Sequence, residues 1–345
     1  MASVLHSRFI IDGVPQEFTP AGMLDTVLEK PLPPQPGGTV LDESLDPVLS
    51  PDTFDMGRLD ACLAAVLSCR REFPLPFAAS YTRLCLAEAL IDTMWRQGPF
   101  SLDDLALTAK WTCNADGLGR MSALYASVKA AVDYLDGLGL QLRRCSCEAG
   151  DVDVRFATPF SGAPLLCPDT FVPDARSWIV LVPFDSCDFR LGGSLFSQAM
   201  QAGGDSAPQV GDADYLMDCF EVVREFVTDR VALAGRTVAG GGLLAAVRRM
   251  LPPGMGADLD LSDMLRSYEE KMPGRLLFGE VPGALLQIRD IDFDYADAEF
   301  LLQDVAYFPL GHPVPGQEGV RVHASKKSGI QKILESLMQN AEGED

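Results

Sequence analysis

The chain has 345 residues, of which 47% are apolar, and its formal net charge is −21. This apolar share supports a full core, so we expect two domains of ordinary size or one large one, and not a disordered chain. A surface this negative repels phosphate backbones, and the basic clusters at 143–144, 248–249 and 326–327 are short. General nucleic-acid binding is therefore excluded.

The cysteines and the N-terminal sequence indicate a reducing compartment. Nine cysteines are scattered, with only Cys145 and Cys147 close together, and the three histidines are dispersed. This spacing favours reduced thiols over a zinc site or a disulfide framework. No apolar run approaches the ~18 residues of a membrane span, and the N-terminus lacks a signal-peptide core. We therefore predict a cytoplasmic location and no membrane partner.

The first half of the chain alternates strand and helix patterns. A Pro-rich loop at 31–38 cannot hold a helix or a central strand, and the apolar run 61–68 fits either a buried strand or part of a helix. Strands are predicted at 7–11 and 105–112, helices at 22–30, 84–95 and 121–138, and a strand pair at 141–147 and 152–156.

The second half changes character near residue 170 and continues the alternation. Strands are predicted at 178–184, 259–261, 284–288 and 319–323, and helices after Gly192-Gly193 and at 214–229, 243–250, 263–271 and 330–339. This order predicts an α/β or α+β fold. We divide the chain into an N-terminal segment (1–55), two domains (56–170 and 171–325) and a C-terminal helix with an acidic tail (326–345).

Two local patterns are candidates for a functional site. On the helix at 84–95, Glu88 and Asp92 are four residues apart, so their carboxylates lie one above the other. They form either a solvated polar stripe or a pair of ligands for a hard cation.

The second pattern is Gly240-Gly241-Gly242, where an apolar run turns into a helix. Such a turn lets the backbone approach a ligand or a neighbouring strand, and the helix N-terminus suits an anion. No ionisable residue lies between Arg236 and Arg248, however, so the turn has the backbone of a phosphate site without its side-chain chemistry.

Six motifs resemble, in order, the second synthetase half of formylglycinamide ribonucleotide amidotransferase. The family has forms such as ARLAVAEALTN, KLSANWM, LYEAVKA, LGGSALAQ, LLAYHDRSDGGLLV and LFNEELGAVIQV. The corresponding stretches here are FAASYTRLCLAEALID, LALTAKWT, ALYASVKAAVDYL, RLGGSLFSQAM, VALAGRTVAGGGLLAAV and RLLFGEVPGALLQI. The resemblance implies a two-domain fold like that of aminoimidazole ribonucleotide synthetase, with a mixed-sheet N-terminal domain and an α/β C-terminal domain.

The resemblance also implies where a nucleotide with Mg²⁺ would bind. It places metal ligands at Glu88, Asp92 and Asp60, the last aligned with a family Asp on a strand. It places nucleotide contacts at Asp185 and at Gly240, Gly241 and Gly242. A Mg-ADP or Mg-ATP site, if present, would be a remnant.

Several side chains of the family's chemistry are replaced in this chain. The family's His and Asp fall at Arg236 and Thr237, the Asp of its Asp-Gly-Gly turn falls at Gly240, and its Gly-Lys-Asp-Ser turn falls near 145–148. An always-charged Arg cannot replace His in proton transfer, and Gly supplies no carboxylate. We assign no catalytic residue.

Three functions remain open at this point. The first is a non-catalytic homologue that associates with itself or with another synthetase-like half through an apolar, exposed N-terminal sheet face. The second is a subunit of a split ATP-dependent phosphoribosylformylglycinamidine synthase. The third is a Mg-nucleotide-binding structural or sensor protein.

Overall fold

The computed structural model describes residues 2–47, 54–98, 102, 105–201 and 205–325. The strands there are β1 (Arg8–Ile11), β2 (Val14–Pro15), β3 (Thr39–Asp42), β4 (Leu107–Thr112), β5 (Leu142–Glu148), β6 (Asp153–Ala157), β7 (Trp178–Pro183), β8 (Ala232–Val238), β9 (Met255–Asp260), β10 (Gly283–Ile288), β11 (Phe308–Pro315) and β12 (Gly319–His323). The helices are α1 (Ala2–Leu5), α2 (Pro20–Leu24), α3 (Leu59–Ser68), α4 (Ala78–Met94), α5 (Arg120–Gly137), α6 (Leu195–Met200), α7 (Ala213–Thr228), α8 (Gly242–Met250), α9 (Ser262–Ser267), α10 (Pro273–Phe278) and α11 (Asp290–Leu302). The helix predicted at 330–339 lies outside the described residues.

The strands form three sheets that follow the chain order. Two three-stranded sheets, β2-β1-β3 and β5-β4-β6, come from the first half, and the six-stranded sheet β12-β9-β11-β7-β10-β8 comes from the second. Alternate residues of β7 face opposite sides: Val180 and Val182 join one apolar cluster with α4, α5 and α7, while Ile179 and Leu181 join another with α8, α9 and α10. The six-stranded sheet thus has an apolar layer on both faces.

Helix α4 lies where the two halves of the chain meet. Its length follows from a run without Gly or Pro, and Leu90 and Ile91 are fully buried. At its C-terminal end, Trp95 packs on β8 at Gly235, where an added Cβ would lie only 2.2 Å from the indole ring. Gly235 therefore fixes the approach of α4 to β8.

A buried arginine holds the C-terminal end of α4. Arg224 of α7 is only 3% exposed, and its guanidinium donates to the carbonyl oxygens of Met94, Arg96 (2.9 Å) and Gly98 (3.0 Å). These carbonyls follow the last helical turn, where no intrahelical donor is available. Burial lowers the pKa of Arg224, and the three carbonyls supply compensating hydrogen bonds.

Two expectations from the sequence need correction, and one open alternative is decided. The strands at 141–147 and 152–156 form but do not pair with each other, because β4 lies between them, parallel to β5 and antiparallel to β6. The helix predicted at 22–30 ends at Leu24, since Leu28 bridges to Leu142 instead. The ambiguous run at 61–68 is helical.

The exposed face of the sheet β5-β4-β6 is polar, so the prediction of an apolar face is wrong. Along β4, Leu107, Ala109 and Trp111 are buried while Lys110 is exposed. Lys110 pairs with Glu148 of β5 at 2.8 Å, and Arg155 pairs with Asp153 of β6 at 3.1 Å. Strand alternation turns the apolar residues towards α4 and α5 and the charged ones outward.

Within the described ranges, no helix is long and apolar enough to cross a membrane.

Candidate functional site

A cleft of about 200 Å³ opens between α4, β8 and the turn that leads into α8. It brings Glu88 and Asp92 of α4 together with Gly240, which is about 150 residues away in the sequence. Its other lining residues are Trp95, Arg96, Leu165, Asp169, Gly235, Arg236, Thr237, Ala239 and Arg249. The cleft is therefore the place where the predicted metal ligands meet the predicted glycine turn.

Asp92 is engaged by a neighbouring side chain of β8. The hydroxyl of Thr237 donates to Asp92 and accepts a hydrogen bond from the indole N–H of Trp95 at 2.9 Å. Desolvation raises the pKa of Asp92, and the hydrogen bond from Thr237 opposes that shift. The residue at the position of a family Asp thus serves as a donor to Asp92.

The arginines of the cleft also have partners within the chain. Arg236 pairs with Asp169 at 3.3 Å, and Arg249 donates to the carbonyl oxygen of Gly240 at 2.9 Å. Three arginines and three acids line the cleft, so their formal charges balance. None of the side chains that line the cleft is a histidine, lysine or cysteine, so the carboxylates are its only candidates for a general base.

Glu88 faces a positive charge that belongs to the chain. The Arg71 Nη1 lies 3.6 Å from the Glu88 Oε2. Desolvation raises the pKa of Glu88, with Asp92 adding to the shift and Arg71 opposing it. In the described part of the chain, no group of three or more His, Cys, Asp or Glu side chains is arranged to hold a metal ion. As arranged, the two carboxylates do not fit Mg²⁺, because Glu88 faces the Arg71 guanidinium and Asp92 accepts a hydrogen bond from Thr237.

The two other acids predicted for the site lie elsewhere. Asp60 is exposed in the first turn of α3, a helix and not the expected strand, and it does not line the cleft. Asp185 is 2% exposed and accepts hydrogen bonds from the backbone N–H groups of Cys187 (2.9 Å), Gly211 (2.8 Å) and Asp212 (3.0 Å). Its contacts tie two loops together.

The glycine turn is required by packing. Gly241 and Gly242 have φ of 89° and 71°, in the region that favours glycine. A Cβ on Gly242 would lie 2.7 Å from the carbonyl carbon of Phe278, so α8 begins in direct contact with the backbone of α10. The Gly241 N–H donates to Glu280 Oε1 at 2.8 Å, which leaves this donor paired within the chain.

Two residues of this region, Arg71 and Glu280, were not singled out by the sequence patterns. Glu280 is 3% exposed and accepts from the N–H groups of Gly241 and Leu195 (2.9 Å), while Arg71 Nη2 donates to it at 2.7 Å. A lone carboxylate within the apolar run 276–288 was a usable signal, because such a group needs a buried partner. Arg71 lies in an irregular, Pro-rich stretch that carries no comparable signal.

The cysteine pair shows no sign of a metal centre. All nine cysteines are free, and Cys145 and Cys147 are half-buried on the core side of β5. Burial raises the pKa of Cys145 to about 11 and also raises the pKa of Cys147. Both thiols are therefore protonated near pH 7.

Comparison with known proteins identifies the fold. Residues 178–290 match the family described as AIR synthase related protein, C-terminal domain. Over 246 residues, 67% of the chain, the sequence is 27% identical to a probable phosphoribosylformylglycinamidine synthase, chloroplastic/mitochondrial, of Arabidopsis thaliana. This stretch spans 17% of that relative's length.

Solved structures from Thermotoga maritima have the same fold. PurLQS superposes with a TM-score of 0.54 at 13% identity, over 74% of this chain and 41% of that one. PurL complexed with FGAR superposes with a TM-score of 0.55 at 12% identity, over 73% of this chain and 42% of that one. The chain thus has a mixed α/β fold like that of these structures, its residues 178–290 match the AIR synthase related C-terminal domain, and its sequence is similar to a phosphoribosylformylglycinamidine synthase over a small part of that protein's length.

Proposed function

We propose that the chain is a non-catalytic homologue of purine-biosynthesis synthetases that acts by associating with a second protein chain. One observation carries the non-catalytic part: the charged side chains of the cleft already have partners within the chain. Arg236 contacts Asp169, and Thr237 contacts Asp92. Both replaced positions therefore contribute to internal contacts, where the family resemblance would place a His and an Asp.

Turnover measurements test this part of the proposal. The purified chain is supplied with ATP, Mg²⁺, formylglycinamide ribonucleotide and ammonia, and phosphate release is followed. We expect a rate equal to that of the Glu88→Ala variant, because neither protein has a working site. A rate above that of Glu88→Ala would refute the non-catalytic function and favour a synthase subunit.

The association surface that we propose is the outward face of the sheet β5-β4-β6, with a second copy of the chain as the partner. Its exposed residues have both signs of charge, as in the pairs Lys110–Glu148 and Arg155–Asp153. Opposite charges on two copies can match across a two-fold axis, and salt weakens such contacts.

Light scattering at low and high salt tests the association. We expect a dimer at low ionic strength that dissociates in about 0.5 M salt, where the Debye length falls below ~5 Å. The Lys110→Glu variant should be monomeric in both buffers, while Lys129→Glu, on the exposed side of α5, should behave as the parent chain. A monomer at low salt would contradict this part of the proposal.

A further inference from the structure

Arg71 lies beside the glycine turn, between the carboxylates of Glu280 and Glu88. Its side chain is 20% exposed, and its guanidinium contacts Glu280 at 2.7 Å and Glu88 at 3.6 Å. The guanidinium carbon also lies 4.7 Å from the centre of the Tyr81 ring, a distance typical of a cation–π contact. Carboxylates from both halves of the chain thus share one internal cation.

The position of Gly240 shows how the guanidinium fits there. A Cβ built on Gly240 would lie 3.1 Å from Arg71 Nη1. A carboxylate at position 240 would therefore enter the same space, next to Glu88. The absence of a side chain at Gly240 leaves room for the guanidinium.

Glu280 makes this cation necessary. The carboxylate is 3% exposed, and a buried charge without a partner is strongly destabilising. Burial is the largest single influence on the pKa of Arg71 and lowers it, but Glu280, Glu88 and two other neighbouring groups together outweigh burial and raise the pKa of the guanidinium. Arg71 is therefore charged at ordinary pH, as arginines in proteins are.

We propose that the guanidinium of Arg71 occupies the place of a metal cation: it bridges Glu88 and Glu280 and keeps metal ions away from Glu88 at the cleft. This inference rests on the proposed non-catalytic function and explains how the Glu88 and Glu280 carboxylates are stable beside each other without a metal. Removing the guanidinium charge would leave two facing carboxylates, the ligands that hard cations prefer. A carboxylate added at position 240 would supply a third.

Manganese titrations followed by electron paramagnetic resonance test the proposal with four proteins. The parent chain and the Gly240→Asp variant should not bind Mn²⁺ at the cleft, because the guanidinium satisfies the carboxylates. Arg71→Gln keeps an amide donor for Glu280 and should bind Mn²⁺ at least about tenfold more tightly than the parent chain. The double variant Arg71→Gln/Gly240→Asp should gain about another tenfold from its third carboxylate.

The controls separate metal binding from misfolding. Arg120→Gln removes a partly exposed guanidinium that pairs with Asp151 at 3.4 Å, and it should leave Mn²⁺ binding unchanged. Because a ligand of the folded state stabilises it, Mn²⁺ should raise the unfolding temperature of Arg71→Gln and not that of Arg120→Gln. If Arg71→Gln unfolds in buffer, Mn²⁺ should restore its circular dichroism.

Two results would overturn the role of Arg71: a parent chain that binds Mn²⁺ as tightly as Arg71→Gln, or Arg71 variants that respond to Mn²⁺ in neither assay. ATP turnover by the parent chain would refute the proposed function by a separate measurement. If the Arg71 variants do not respond to Mn²⁺ and the parent chain does not turn over ATP, only this inference is refuted and the proposed function still holds.

Discussion

The Gly242→Ala substitution tests whether the glycine turn is maintained by packing. Gly242 has φ of 71°, and a Cβ there would lie 2.7 Å from the Phe278 carbonyl carbon and 2.8 Å from the Leu277 carbonyl oxygen. The positive φ costs an alanine about 1–2 kcal/mol. Displacing the backbone of α10 adds about 1–3 kcal/mol. We therefore expect a loss of about 2–5 kcal/mol in the free energy of unfolding.

Gly139→Ala is the matched control. Gly139 follows α5 with φ of 65°, and its Cβ would meet no atom within 4 Å. The control therefore carries the cost of the positive φ, about 1–2 kcal/mol, without the steric contact. Urea unfolding followed by circular dichroism gives the free energy of unfolding of both variants. The two values can be compared directly if the m-values are unchanged. Equal losses in the two variants would refute the packing argument.

Three further predictions concern other contacts. Arg224→Met should lower the free energy of unfolding in urea by about 3–5 kcal/mol, because three carbonyl oxygens at the end of α4 lose their donors. The same change at exposed Arg143 should alter it by no more than about 0.5 kcal/mol. Equal losses in the two variants would contradict the capping role of Arg224. Thr237→Val should raise the pKa of Asp92 further, since it removes the hydrogen bond that favours the carboxylate; an unchanged or lower pKa in a carbon NMR titration would count against that contact. Burial raises the pKa of Cys145 to about 11, so its thiolate fraction rises about tenfold per pH unit from pH 8 to 10. The rate of alkylation by iodoacetamide, measured by mass spectrometry, should rise by the same factor. A constant rate would rule out the raised pKa.

Local pattern predicted most of the elements because most of them bury one face at a regular period. The helices α4, α5, α7 and α8 and the strands β4, β7, β10 and β12 lie at or near their predicted positions. Several elements escaped prediction, and for two of the longer ones the local reason is clear. Strand β11 contains three prolines and a register shift between Pro309 and Gly311, and α11 carries acids around its exposed face.

The pairing of the strands was harder to predict from the sequence than their positions. The short connection between β5 and β6 suggested a hairpin, yet both strands pair with β4. Sequence spacing limits which strands can meet, but packing of the helix α5 over the sheet decides which ones do. The same packing turns Lys110 of β4 outward.

The sequence by itself determined the resemblance, the glycine turn and the replacements at Arg236, Thr237 and Gly240, because each of these is a property of residues close together in the chain. Only the tertiary structure decided what those residues contact. Arg71 and Glu280 are 209 positions apart, and no periodicity links them. Their pairing follows from burial, since a carboxylate removed from water requires a nearby positive charge, and the fold determines which residue supplies it.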